Sequence, residues 1–196
     1  MRATFALVTG VIAIAIAGAR GSAIAAPSAD AQVATPWTLG MVGGVEQPMG
    51  ASSDAHERGL DAGMRLAWTS RLGLGVEAAL DYSPLPHAPS PDGARFDTTF
   101  ATAAIGPRFA TGWSRFGFAV EAGGGVAVDH TNEQSPLLQG GVTRTTDVAP
   151  ALEAGVEIEL TVVNGGGIML TGGGTRAFGG VATEYAWGMG GLALSF

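Results

Sequence analysis

The chain has 196 residues, 46% of them hydrophobic, with 32 glycines, no cysteine and a formal net charge of −7. This is too apolar for a disordered chain and is the length of one domain, two at a stretch. Disulfides, a lipid-bearing N-terminal cysteine and thiolate metal sites are excluded, and the ten basic residues, all arginine, form no stripe that would suit a nucleic acid.

Arg2 precedes the apolar run FALVTGVIAIAIAGA, and small residues follow in SAIAAPSADAQ, the layout of a secretory signal. Cleavage after Ala31 is favoured over cleavage after Ala25, giving residues 1–31 as the signal and 32–196 as the mature domain. The apolar run has 15 residues, short of the ~20 a spanning helix needs. The mature part has no run near ~18, so any membrane span must be built of strands.

From residue 36 onward the apolar pattern has period two. A first strand is predicted over 36–46, with Trp37, Leu39, Met41 and Val45 on one face. The second, 58–69, sets Leu60, Ala62, Met64, Leu66 and Trp68 against Asp61, Gly63, Arg65 and Ala67. In the third, RLGLGVEAALDYS, Leu72, Leu74, Val76, Ala78, Leu80 and Tyr82 oppose Arg71, Gly73, Gly75, Glu77, Ala79 and Asp81. The fourth, 96–109, carries Phe100 and Phe109 at opposite parity, which predicts a bulge or a change of exposure near Ala104.

The fifth strand, 114–128, sets Phe116, Phe118, Val120, Ala122, Val126 and Val128 against Arg115, Gly117, Glu121 and Gly123. The sixth, 147–160, sets Val148, Leu152, Ala154, Val156, Ile158 and Leu160 against Asp147, Glu153, Glu157 and Glu159. Strands over 165–173 and 182–196 bring the count to eight, to within one. Short connections fall at 69–71, 110–113 and 161–164, long ones at 47–58, 84–95 and 129–146, and an intermediate one at 174–180. An up-and-down antiparallel meander would gather the long loops at one end and the short turns at the other.

A soluble lipocalin-like barrel shows the same alternation with its apolar face inward. Three features favour apolar outward. The other face is mostly Gly and Ala with scattered charges, which suits a cramped lumen better than a wet surface. The strands reach the ten or so residues of a tilted membrane strand. Trp37, Trp68 and Trp113, joined by Phe109 and Phe196, sit at the short-turn ends, while Tyr82, Phe96 and Tyr185 lie near the long loops, as two interfacial girdles would require.

A basic side chain facing lipid at mid-depth costs about 2–4 kcal/mol. Asp61, Arg65, Glu77, Arg115, Glu121, Glu153 and Glu157 are therefore expected inside, as a plug of arginine–carboxylate pairs. A narrow cation-preferring path or a proton-sharing carboxylate cluster is the alternative.

With signal, meander, girdles and the terminal GGLALSF together, the chain resembles the small Gram-negative outer-membrane β-barrels of the OmpA/OmpX type, across nearly all of its mature length as a pattern. The resemblance implies an eight-stranded transmembrane barrel in the outer membrane with short periplasmic turns and longer outer loops. Family members finish with Gly-x-x-apolar-x-aromatic, read by the barrel-assembly machinery, which maps onto Gly191, Leu194 and Phe196; Met189 stands where such signals usually carry a polar residue. GPRF (106–109) also resembles strand ends in the family.

The three histidines, His56, His87 and His130, are expected in outer loops, near Asp54, Glu57, Asp92 and Asp129; a metal or hydrolytic site is the alternative there to the favoured reading, that solvated loops collect such residues without a role. GMGGLA (188–193) lacks the helix of a dinucleotide site, and GGGTRAFGG lacks the lysine of a P-loop. Some barrels of this kind modify lipid A with a His, a Ser and a carboxylate, but no H-x-S pair is present here. No catalytic residue, metal ligand or cofactor is assigned. The expectation is a monomeric, non-enzymatic membrane protein whose partners are outer-membrane lipids and, during biogenesis, the assembly machinery; a small pore, a lipid-A-modifying enzyme and a soluble periplasmic ligand-binding barrel are the alternatives.

Overall fold

A computed structural model describes residues 37–50, 57–86, 95–113, 115–134, 142–179 and 183–196; the signal segment, His56, His87 and the side chain of Trp113 lie outside the described residues. Eight strands follow one another: β1 (Trp37–Met49), β2 (Gly59–Thr69), β3 (Leu74–Pro86), β4 (Arg95–Trp113), β5 (Phe116–Gln134), β6 (Val142–Val163), β7 (Gly166–Ala177) and β8 (Thr183–Ser195). Each pairs antiparallel with the next, and β8 returns to β1, so the sheet closes into a barrel. Closure satisfies the backbone groups that an open edge would expose.

The stagger of the barrel can be read from its pairings. Leu39 faces Leu66, and the path continues through Ala78, Ile105, Gly124, Leu152, Arg176 and Glu184 before it meets β1 again at Met49, ten residues beyond its start. With strands ~4.8 Å apart and ~3.3 Å per residue, this stagger tilts them by about 40°. A barrel this narrow has an interior that side chains can fill.

Alternation decides which side chains enter it. Leu60, Met64, Leu66 and Trp68 of β2 point outward and exposed, as do Leu74, Val76 and Leu80 of β3 and Leu192 and Leu194 of β8. Asp61, Arg65 and Ala67 between them are buried inside. The outer surface is therefore the apolar one, the reverse of a barrel that stores an apolar ligand.

Two of the short connections, β4–β5 and β6–β7, begin later than expected, while β2 and β3 are joined through 70–73. β4 continues through Trp113 and β6 through Val163, with Arg115 in the first turn and Asn164–Gly165 forming the other. Gly73 (φ 81°) and Gly165 (φ 76°) turn the chain at this end in the left-handed region. Gly73 also approaches β4 closely, since its carbonyl accepts the Ala110 N–H at 2.7 Å.

At the opposite end the strands are longer than the sequence pattern shows. β4, β5 and β6 have 19, 19 and 22 residues against 11 to 13 in the others. Polar β-branched residues such as Thr98, Thr99, Thr131, Thr143 and Thr145 pair well in a sheet without an apolar alternation to announce it. His130, expected in a loop, is accordingly part of β5, where its Nδ1 lies 2.8 Å from Thr146 Oγ1.

No bulge occurs near Ala104. Pairing of β4 with β3 is continuous, and pairing with β5 lapses only at Gly106 and Pro107 before resuming with unchanged offset at Arg108 opposite Glu121. Pro107 has no N–H to give the ladder, which interrupts the bonds without adding a residue. Phe100 and Phe109 differ in parity because Phe100 belongs inside, its ring 4.3 Å from that of Tyr185. The register shift that does occur lies between Thr161 and Val163, beside the β6–β7 turn.

Candidate functional site

Three strands in a row deliver the middle of the lumen: β2 contributes Arg65, β3 contributes Glu77 and Asp81, and β4 contributes Arg108. Across the barrel, β5 supplies Glu121 and β6 supplies Glu153 and Glu157. Arg65 is 1% exposed. Its Nη1 donates to both oxygens of Asp81, at 2.8 and 2.9 Å. Its Nη2 lies 3.4 Å from Glu153 Oε1 and its Nε 3.8 Å from Glu77 Oε1, while the guanidinium stands 5.1 Å from the centre of the Trp187 ring. Thr102 Oγ1 donates to Asp81 Oδ2 at 3.4 Å.

Arg108 serves a second group. Its Nε is 3.0 Å from Glu77 Oε2, its Nη1 donates to Thr69 Oγ1 at 3.1 Å, and its Nη2 pairs with Glu157. Glu77 thus joins the two arginines into one network that crosses the lumen from β2 to β6. Planar guanidinium forks suit this task better than ammonium groups would, in keeping with a chain that has no lysine.

Room for these side chains comes from glycine. Arg65 stands opposite Gly40, Asp61 opposite Gly44, Asp81 opposite Gly63, Arg108 opposite Gly75, Glu77 opposite Gly106, Glu153 opposite Gly123 and Glu121 opposite Gly155. A Cβ at position 155 would lie 2.7 Å from Glu121 Oε1 and 2.9 Å from the Trp187 ring, and one at position 63 would collide with Asp81 Oδ1. The glycines of the inward face are therefore half of the charged network's packing.

Apolar layers close the charged layer at both ends. Toward the long-loop end, Leu85, Phe100 and Tyr185 pack among Ala127, Ala149, Ala151 and Ala177. Toward the short-turn end, Val42, Met169, Trp187, Met189 and Ala193 do the same, and Trp187 Nε1 donates to Thr175 Oγ1 at 3.2 Å. Between them remains a cavity of about 20 Å³ bordered by Glu77, Ala79, Ala104, Glu121, Gly123 and Glu153, room for about one water molecule.

Glu77, Glu121 and Glu157 each present a carboxylate oxygen within 4.8 Å of the others, a spacing a hard cation could bridge. Arg108 already occupies Glu77 and Glu157, so a cation there would have to displace a guanidinium. Glu121 contributes two buried oxygens with no hydrogen-bond partner among the described residues.

Of the residues expected inside, Asp61, Arg65, Glu77, Glu153 and Glu157 are buried there and Glu121 is half-buried. Arg115 is not inside: it lies exposed in the β4–β5 turn, where its carbonyl accepts the Thr161 N–H at 2.8 Å, because β5 begins one residue later. Asp81, Arg108, Glu46 and Trp187 are among the interior residues that sequence reasoning missed. Asp81 shares the parity of Glu77, and Arg108 sits beside the outward Phe109, so parity alone could have placed both.

On the outer surface Trp37 and Trp68 are directly paired and exposed near the short-turn end, and Tyr82 is exposed higher up. Tyr185, expected in the second girdle, is 2% exposed and faces the lumen, since β8 turns its odd-numbered residues inward. Gly191 lies between Val42 and Met169, Leu194 points outward, and Phe196 exchanges backbone hydrogen bonds with Trp37 at 3.0 and 3.3 Å.

No protein-family model and no curated protein matches the sequence. Solved structures do share its fold. Ail, the attachment invasion locus protein of Yersinia pestis, superposes with a TM-score of 0.55 at 10% identity, over 81% of this chain and 99% of that one. Neisserial surface protein A gives 0.54 at 11% identity over 84% and 100%. A major outer membrane protein from Thermus thermophilus gives 0.56 at 11% identity over 82% and 99%. The chain has the fold of the small eight-stranded outer-membrane β-barrels.

Proposed function

We propose that this chain is an integral outer-membrane protein whose role is structural and interactive: it anchors in the bilayer through its barrel and presents its longer end for contact. The observation that carries this reading is the division of chemistry between the two faces. Leu60 is 72% exposed and Leu192 67%, while Arg65 is 1% exposed. Apolar outside and ion-paired inside is costly in water and suited to hydrocarbon.

The same division disfavours a soluble ligand-binding barrel, which would need its large apolar residues inside. A pore is disfavoured by the layered lumen, in which Phe100 and Tyr185 pack above, the Arg65 and Arg108 network spans the middle, and Met169 and Met189 pack below. A non-enzymatic role is the one proposed: the contact between His130 Nδ1 and Thr146 Oγ1 at 2.8 Å lies on an exposed strand surface, and the lumen carboxylates Glu77, Asp81, Glu153 and Glu157 are engaged by Arg65 and Arg108. Gly191, Leu194 and Phe196 would serve the assembly machinery as the terminal signal.

The test is gel mobility of detergent-extracted protein with and without boiling, alongside fractionation of the envelope. A heat-dependent mobility shift in the outer-membrane fraction is expected. A single boiled-like band with the protein in the soluble periplasmic fraction would overturn the membrane reading, and a lipid A profile that changes with the protein's presence would overturn the non-enzymatic one.

A further inference from the structure

Among the described residues, the outer end of β6 is a sheet edge. Val142 to Pro150 pair on one side with β5, from Gln134 opposite Val142 to Val126 opposite Pro150, without interruption. On the other side β7 begins pairing only at Ala151 opposite Ala177, with one further bond from Phe178 N–H to Pro150 O at 2.8 Å. Five residues, 178–182, connect β7 to β8.

That edge carries little protection. Its bond-forming groups are identified by Pro150: its carbonyl faces the β7 side, so Val148, Thr146, Arg144 and Val142 turn their N–H and C=O groups the same way. Side chains from Val142 through Val148 are all exposed. The stretch VTRTTDV is β-branched at five of its seven positions and holds neither proline nor bulge; its two charges, Arg144 and Asp147, are of opposite sign.

We infer that this edge pairs with the same edge of a second copy, antiparallel and centred on Thr145. In that register Val142 meets the second copy's Val148, Arg144 meets its Thr146, Thr143 meets its Asp147, and Thr145 meets itself, so no like charges stand opposite. One step toward the tip sets Arg144 against Arg144. One step the other way sets Val142 against Pro150, which has no N–H and whose carbonyl is already taken. The contact is isologous, and its two-fold axis runs perpendicular to the projecting sheet.

Such an axis reverses the barrel direction. Two molecules joined this way meet by their long-strand ends, which on the membrane reading places them in two facing membranes, while each stays single in its own. This placement rests on that reading, which the boiling assay tests independently; the edge pairing itself is tested in micelles.

The native chain has no cysteine, so single-cysteine variants report the register directly. Protein refolded in detergent is oxidised as Thr145→Cys, Thr143→Cys and Asp147→Cys, with folding checked by heat-dependent mobility. Thr145→Cys is expected to give a disulfide-linked dimer, and the other two to stay mostly unlinked, since each faces the other's position. Thr146→Pro removes one edge donor per copy without touching the backbone bonds to β5, and should weaken the association by about tenfold or more, whereas Thr146→Val, which loses the same side-chain contact with His130 but keeps the edge N–H, should not. Equal cross-linking at all three positions, no cross-link at 145 in folded protein, or an association unchanged by Thr146→Pro would overturn the inference.

Discussion

Gly63 on β2 faces Asp81 on β3, and the Asp81 carboxylate that holds Arg65 occupies the space where a side chain at 63 would begin. Gly63→Ala should therefore cost about 1–3 kcal/mol by overpacking and by pushing Asp81 off its arginine. Gly188 is the control, since a Cβ added there would meet nothing within 4 Å among the described residues; Gly188→Ala should fall within about 0.5 kcal/mol of the parent protein. Urea unfolding in micelles measures both, and equal effects would contradict the packing described for the lumen.

Removing Arg65 leaves Glu77, Asp81 and Glu153 facing one another without their shared cation. Arg65→Leu should destabilise the barrel by about 3–5 kcal/mol, the usual cost of stranding buried charge. Arg65→Lys should recover only part of this, because one ammonium cannot reproduce the fork that spans Asp81 and Glu153. Full recovery by lysine would mean that charge alone, and not the geometry of the fork, holds the network.

The bonds between Phe196 and Trp37 are the last rungs of the closing seam. Deleting Phe196, or making Phe196→Asp, should lower the yield of heat-modifiable protein in cells far more than a polar replacement at Val142, which lies at the opposite end. Matching yields for the two variants would separate the terminal residue from assembly.

No stepwise single-channel conductance is expected in planar bilayers. Phe100→Ala should cost about 3–5 kcal/mol through the cavity it leaves beside Tyr185, yet the Arg65 and Arg108 layer below it should still prevent a through-path. Steady openings of the parent protein would show that the layers part readily.

The faces of β2, β3, β5 and β6 were legible because a period of two with large apolar residues on one side admits a single inside-out assignment. Tyr185 was not, because an aromatic near a loop satisfies a girdle and a plug equally well until the parity of β8 is known. The upper thirds of β4, β5 and β6 were hidden for a different reason: above the apolar band both faces meet water, and Thr, Asp and His serve equally in strand or loop. Of the charged network, parity could yield the membership, as the inward position of Asp81 beside Glu77 shows. Its wiring could not be read, because the contacts between Arg108 and Glu157 depend on how far the sheet curls before it closes.

The ten-residue stagger also constrains how this chain can vary over generations. A single inserted codon within β2 would turn every later side chain of that strand to the opposite surface, sending Arg65 toward the outer face and Leu66 into the crowded centre. Length changes should therefore accumulate where strands meet the loops, or arrive within strands two residues at a time, so the gaps between diverging copies of this gene would mark the rims of the barrel even where no residue is shared.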